Sequence, residues 1–223
     1  MHQQKGKRIF VYLFLFLLVG SINNNSFNKI QFEKIKNIKI YGLNERENLN
    51  LLENVESLNL ENIFFLNGNQ ISQIISSNSL VENFRIFKKY PHTIDIKIEK
   101  TNFLAKINNK GKISLIGSNG KLSDVRFSDK QLPFIFGKPE INEFIEFVNI
   151  IKHSQFSLNQ IRNLYYFPSK RWDLELKNNI ILKLSKDHIK LSLDHSFKIL
   201  NDNNFKGIKV VDARIKNQII LND

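Results

Sequence analysis

The chain has no cysteine, so a disulfide framework, a zinc–thiolate centre and a thiol nucleophile are all excluded. If it is exported, packing alone must hold it together. Tryptophan is nearly absent too, with Trp172 the single example in 223 residues. None of the five histidines (His2, His92, His153, His188, His195) pairs with another at the i, i+4 spacing of a helical metal face. His188 and His195 stand two helical turns apart and read as surface residues. Gly111-Lys112 lacks the further glycines and the Ser or Thr of a phosphate loop. Asp194-His195-Ser196 holds the residue types of a catalytic triad, but neighbours on a helix point in different directions and cannot relay a proton. These absences point away from an enzyme, and no cofactor, metal or small-molecule substrate is expected.

Lys and Arg total 33 against 21 Asp and Glu, a net charge of +12. The basic residues are scattered, and no run of them interleaves with aromatics as a nucleic-acid platform requires. Lys, Asn and Ile are abundant along the whole chain, as biased nucleotide composition would produce. Nucleic acid is therefore not expected as a partner.

Long apolar runs are missing except for one, Ile9–Ile22 (IFVYLFLFLLVGSI). Lys5, Lys7 and Arg8 precede it, while Asn23, Asn24, Asn25 and Ser26 follow without charge. Basic flanks stay on the cytoplasmic side, which predicts a cytoplasmic tail over 1–8 and export of the bulk. At about 1.5 Å per residue Ile9–Ile22 reaches roughly 21 Å, short of a ~30 Å hydrocarbon core. The expected anchor is therefore a transmembrane helix over 9–27, with the asparagines in the interface. The alternative is a cleaved signal peptide, with Val19 and Ser21 before the cut, although no A-x-A stands there.

Beyond the anchor the pattern alternates strands and helices. Ile35–Tyr41 reads as a strand stopped by Gly42, and Asn44 as a helix cap with Glu45 and Glu47 in the first turn. Asn69 is the expected cap of a second helix through Ile71, Ile74 and Ile75. Val81–Lys88 and Thr93–Lys100 read as strands. In the second, Ile94, Ile96 and Ile98 face a core while Asp95, Lys97 and Glu99 face solvent. This β-α-α-β-β unit precedes a mixed α+β region. There Ile113–Ile116 and Leu132–Gly137 read as short segments and Ile141–His153 as an amphipathic helix. Ile161–Phe167, Trp172–Leu176 and Ile180–Leu184 read as successive antiparallel strands, the last two turned at Asn178-Asn179. A helix over His188–Leu200 and strand material at Val210–Ile215 and Gln218–Leu221 complete the chain. Trp172 reads as a core anchor.

These residues resemble the FtsQ (DivIB) family of bitopic cell-division proteins. Ile38-Lys39-Ile40-Tyr41-Gly42 is similar to the opening strand of its POTRA domain, and Val81 to Ala105 follows that domain's last two strands. Leu115 to Gly120, Leu132-Pro133 with Gly137, the Arg171-Trp172-Asp173-Leu174 hairpin and Val211-Asp212-Ala213-Arg214 resemble its β-domain. Asn102 stands in place of a usual proline and Asn179 in place of a turn glycine. The resemblance implies an α+β fold: one N-terminal transmembrane helix, a POTRA-like domain over 30–105, and a β-domain over 106–223 built on an antiparallel sheet. It further implies a single-pass protein of the bacterial inner membrane, periplasmic in bulk and placed at the division septum. Its expected role is a non-enzymatic scaffold recruiting the small bitopic partners FtsB and FtsL together with other divisome proteins.

A chain ending on a strand invites strand addition at an open edge. The positions matching the family's partner-binding strands are Ile215, Asn217, Gln218, Ile219 and Ile220. Lys170 or Arg171, beside the tryptophan hairpin, is a further candidate to meet an acidic partner group. The competing readings are a POTRA-bearing chaperone or translocation accessory and, behind it, a lipid- or polymer-binding module using the basic surface.

Overall fold

The computed structural model describes residues 3–22, 33–127, 131–205, 207–216 and 218–222. The first element is helix α1, Gln3–Ile22. Its apolar residues from Ile9 to Val19 are all exposed, by 38–79%. Among the described residues, however, no helix is long and apolar enough to cross a membrane. The span expected over 9–27 is thus unsupported. Lys5, Lys7 and Arg8 lie inside α1 and shorten its apolar stretch, and residues 23–27 fall outside the described set.

Strand β1 (Asn37–Tyr41), helices α2 (Glu45–Glu56) and α3 (Gly68–Ser77), and strands β2 (Val81–Lys89) and β3 (Thr93–Lys100) form the first unit. The sheet order is β1-β3-β2, with β1 parallel and β2 antiparallel to the central β3. Asn44 caps α2 as expected, accepting the Glu47 N–H at 2.9 Å. The second cap is Asn67 rather than Asn69. Its extended backbone lets the side chain accept the Asn69 N–H at 3.0 Å, so the helix opens at Gly68. Leu51, Val55, Ile71 and Ile75 of the helices bury against Ile94, Ile96 and Ile98. Gly42 is obligatory: at φ +123° a Cβ there would lie 1.9 Å from the Ile98 carbonyl oxygen.

Asp95 departs from the simple alternation. It is 5% exposed because β3 is the central strand and Lys89, from β2, closes over it in an ion pair. That ion pair raises the Lys89 pKa.

The second unit is a nine-stranded sheet ordered β12-β11-β10-β9-β8-β7-β4-β5-β6, mixed rather than the antiparallel sheet expected, because the pairs β4–β7, β7–β8 and β10–β11 are parallel. Its strands are β4 (Phe103–Asn109), β5 (Lys112–Gly117), β6 (Leu122–Asp124), β7 (Phe134–Phe136), β8 (Ile161–Tyr166), β9 (Trp172–Leu176), β10 (Ile181–Leu184), β11 (Val210–Ala213) and β12 (Ile220–Asn222). The expected antiparallel run β8–β9–β10 is present. Two connections are parallel crossovers. Helix α4 (Ile141–Lys152) joins β7 to β8, and helix α5 (Ile189–Leu200) joins β10 to β11. Both helices lie on one face, where Phe144, Phe147, Val148, Ile151 and Leu193 pack against Leu164, Leu174, Leu182 and Val211. Trp172 is a core residue, stacked on Phe147 at 4.5 Å between ring centres. Strand β4 was not anticipated, since FLAKINN is poor in β-formers apart from Phe103 and Ile107. Pairing on both sides makes it a strand: β5 follows through a Lys110-Gly111 turn with both φ values positive, and β7 lies parallel beyond.

The two units join through a polar clasp. The Glu82 carboxylate accepts from Thr101 Oγ1 at 2.8 Å and Ser118 Oγ at 2.7 Å. The Asn119 amide donates to the Ser79 and Val81 carbonyls at 3.0 and 2.8 Å, and the Lys121 ammonium reaches the Asn78 carbonyl at 3.3 Å. Asn119→Ala strips both donors from one side of this clasp. It should lower stability to urea by about 1–2 kcal/mol and speed amide exchange of residues 117–121.

Candidate functional site

The terminal edge is positioned from α5. Ser192 is buried, and its Oγ accepts the Ser185 N–H beyond β10 at 3.1 Å and lies 2.9 Å from the Ala213 carbonyl at the end of β11. Ser196, fully buried, donates to the Ser192 carbonyl at 2.7 Å. These contacts tie the ends of two parallel strands to the helix that joins them, which sets β11 beside β10. Strand β12 then folds back antiparallel, pairing Asp212 with Ile220, Val211 with Leu221 and Val210 with Asn222. It is the last strand of the sheet, and no described strand lies on its outer side. An edge of this kind offers unpaired N–H and C=O groups for another strand.

The strand is shorter than expected. β11 stops at Ala213 and β12 starts at Ile220, so Ile215 and Gln218 belong to the turn between them. Ile215 is 56% exposed and its carbonyl accepts the Gln218 N–H at 3.2 Å. Ile219 is half-buried and packs on the core of the second unit, as does Leu221. Ile220 is an exposed apolar side chain on the edge strand itself. Asn217 lies outside the described residues. The turn is held by Arg214, whose guanidinium grips Asp212 with Nη2–Oδ2 at 2.6 Å and Nε–Oδ1 at 2.8 Å. That bond holds the Asp212 carboxyl below its usual range and raises Arg214.

The face opposite α4 and α5 carries a feature that motif reading missed. Across the register Ile220, Asp212, Lys183, Asp173, Tyr165 and Phe136 line up on successive strands. Charges alternate in sign over the middle of this row, and Phe136 stacks on Tyr165 at its far end, 5.1 Å between ring centres. Asp173 is buried, and burial pushes its carboxyl up despite the neighbouring Arg171. One row over, Glu175 accepts from Asn163 and from the Tyr165 hydroxyl, both at 2.8 Å. The Asn163 bond leads in lowering Glu175. The signal was present in WDLEL, ILKL and VVDA, whose polar residues alternate with buried ones, but only the strand order brings them together.

Lys170 and Arg171 sit in the turn between β8 and β9. Lys170, at φ +65°, pairs with Glu143 of α4 at 2.5 Å, and Glu143 also accepts the Tyr166 hydroxyl at 2.6 Å. Arg171 bonds Asp173 at 3.1 Å and lies over the Phe167 ring at 4.2 Å. Both cations are thus engaged within the unit. β9 stands three strand spacings from β12, roughly 14 Å, so the structure does not bring this pair together with the terminal edge. Among the described residues no group of three or more His, Cys, Asp or Glu is placed to hold a metal ion.

A β-α-α-β-β unit followed by a mixed sheet with its two described crossover helices on one face defines a class, proteins that carry a POTRA domain ahead of a β-domain. Residues 33–100 match the POTRA domain of FtsQ type, and residues 105–214 match the C-terminal domain of cell division protein FtsQ/DivIB. The chain belongs to the FtsQ/DivIB family of cell-division proteins. It is 31% identical to the cell division protein DivIB of Clostridium acetobutylicum over 98 residues, 44% of this chain but 39% of that protein's length. It is 25% identical to the cell division protein FtsQ of Rickettsia typhi over 191 residues, 83% of this chain and 71% of that protein. A structure of the major extracytoplasmic domain of DivIB from Geobacillus stearothermophilus aligns with a TM-score of 0.35 at 12% identity, over 44% of this chain and 88% of that one.

The Asp212–Arg214 clasp has a definite pH signature. Because the folded state lowers the Asp212 pKa, its contribution is present above the ordinary aspartate value of ~3.9 and is lost as pH falls through the lowered one. Urea denaturation should therefore show the wild type more stable than Asp212→Asn at neutral pH, by at most about 1 kcal/mol for so exposed a partner. The margin should close in acid.

Proposed function

We propose that the chain is a non-enzymatic scaffold of the division machinery that recruits FtsB- and FtsL-type partners by strand addition at β12. The observation that carries this reading is the outer side of β12, on which no described strand lies, beside the face opposite α4 and α5 with its charges of both signs. A partner strand laid antiparallel or parallel to β12 would satisfy the edge's backbone groups, and Ile220 supplies an exposed apolar contact. Asp212 and Arg214 lie beside β12, with Lys183 one strand further in, and can select a partner by charge complementarity. Ile215, Gln218 and Ile219, in the approach to the strand, form the rest of the proposed site together with Asn217, their neighbour in sequence, and Lys170 and Arg171 are its distant flank.

The same reading attaches the chain to the bacterial inner membrane through α1, with its amino end in the cytoplasm and its bulk in the periplasm at the septum. Eleven exposed positions from Ile9 to Val19 without a charge suit a lipid environment better than water. Confinement to a membrane raises the effective concentration of partners anchored in the same bilayer, so a modest strand interface suffices. We place the junction between the POTRA-like and β-domains near Thr101, where the clasp lies.

Ile220→Lys tests the reading, because a lysine on an edge strand discourages further pairing while leaving an exposed site undisturbed. Tagged wild-type chain drawn from detergent-solubilised membranes should bring FtsB and FtsL with it. The variant should lose at least about tenfold of that recovery, equivalent to ~1.4 kcal/mol, with its urea midpoint unchanged. Undiminished recovery would rule out the β12 edge.

A further inference from the structure

We propose that the chain-entry end of the POTRA unit carries a membrane-resting rim, formed by Phe64, Phe65 and Tyr90 and seated on the anionic bilayer that holds α1. The proposal rests on the membrane attachment argued above.

Topology places these residues. β1 is parallel to β3 with Asn37 opposite Thr93, so the chain enters the unit at the same end as the β2–β3 turn. The opposite end, where Lys100 faces Val81, leads through Thr101 into the second unit. The eight residues of β3 separate the two ends by roughly 25 Å. At the entry end Phe64 is 52% exposed, Phe65 71% and Tyr90 61%. The Phe64 and Tyr90 rings lie 5.1 Å apart, so the 62–66 loop and the β2–β3 turn share one aromatic surface.

This rim is a built feature. Asn62 Oδ1 accepts both the Phe64 and Phe65 N–H groups at 3.1 Å. Asn62 also bridges to Lys34, the Ile35 N–H donates to the Glu61 carbonyl at 3.0 Å, and the Lys36 N–H donates to the His92 carbonyl at 3.0 Å. The loop that projects the two phenylalanines is thus pinned to the strand by which the chain arrives. Lys34, Lys36, Lys88 and Lys89 are exposed at this end against the exposed Glu33 and Glu61, and that positive balance favours anionic headgroups.

Chain length supplies the occupant. Glu33 follows the end of α1 at Ile22 by about 11 residues, which span no more than roughly 40 Å even when fully extended. The rim lies at the end of the unit where the chain arrives from α1, and a tether of this length lets it reach the bilayer surface. Tyr90, with an apolar ring and a polar hydroxyl, suits the headgroup level, and the wholly apolar rings of Phe64 and Phe65 suit the headgroup–acyl boundary just beneath it. Docked in this way, the unit would point its clasp and the second sheet away from the membrane.

The test uses the full chain in vesicles of phosphatidylethanolamine and phosphatidylglycerol, with or without brominated acyl chains that quench tryptophan on contact. Trp172 is 3% exposed in the second core and gives the wild type an unquenched reference. Phe65→Trp should lose about twofold of its emission in brominated vesicles, as expected for a ring at the interface. Phe205→Trp, at an exposed position of the second unit, should lose none beyond the wild type. Flotation reads attachment separately. A chain that floats with the vesicles while Phe65→Trp stays unquenched, or is quenched no more than Phe205→Trp, overturns the rim and leaves the anchor standing. A chain that does not float overturns both.

Discussion

Burial of Leu164, Leu174, Leu182 and Val211 beneath α4 and α5 is the interaction on which the rest of the second unit depends. Both crossover helices cover the same face, and the Phe147–Trp172 stack fills the gap between one of them and the sheet. Because strand side chains alternate, the same burial sends Asp173, Lys183 and Asp212 to the other face. A sheet covered on both sides would be forced toward apolar residues throughout. Among the described residues this sheet instead keeps a polar second face, with β12 outermost.

That outer end is decided by a second, smaller constraint. Ser192 bonds to the ends of β10 and β11, holding those strands parallel beside each other. The chain then has one short turn in which to come back, and β12 takes the outermost place. Arg214 and Asp212 hold that turn from the solvent side. The outermost strand is thus positioned by buried hydroxyls within the fold, and the ion pair only trims its turn. At the other end of the molecule, the clasp around Glu82 and Asn119 joins the units by hydrogen bonds, several to backbone carbonyls. Such contacts have strict geometry and define orientation more sharply than a greasy interface of similar size.

Much of the architecture was legible along the chain. The alternation in β3, the apolar stripe of α4 and the Asn44 cap each express a local preference that tertiary contacts reinforce, so reading them in isolation succeeded. Asp95 and β4 show where that logic ends. Asp95 is polar in an alternating strand, yet it is buried because β3 has neighbours on both sides and Lys89 folds over it. Strand β4 has little strand propensity of its own and exists because β5 and β7 pair with it. The proposed site was half legible. A strand near the carboxyl end could be inferred from Val210 to Leu221, but the alternating row from Ile220 to Phe136 required the order of six strands.

From its residues alone this protein was bound to be a cysteine-free, basic chain with one apolar segment ahead of two mixed units. Those properties follow from composition and from periodicities of two and 3.6 residues, which act over a few neighbours. Which strand would end the sheet, which carboxylates would be buried and which cations would be spent on internal pairs were settled only by tertiary structure. Those outcomes depend on contacts between residues distant in the chain, such as Lys170 with Glu143 and Ser192 with Ala213. No local pattern encodes such contacts, because each partner's environment is made by the other.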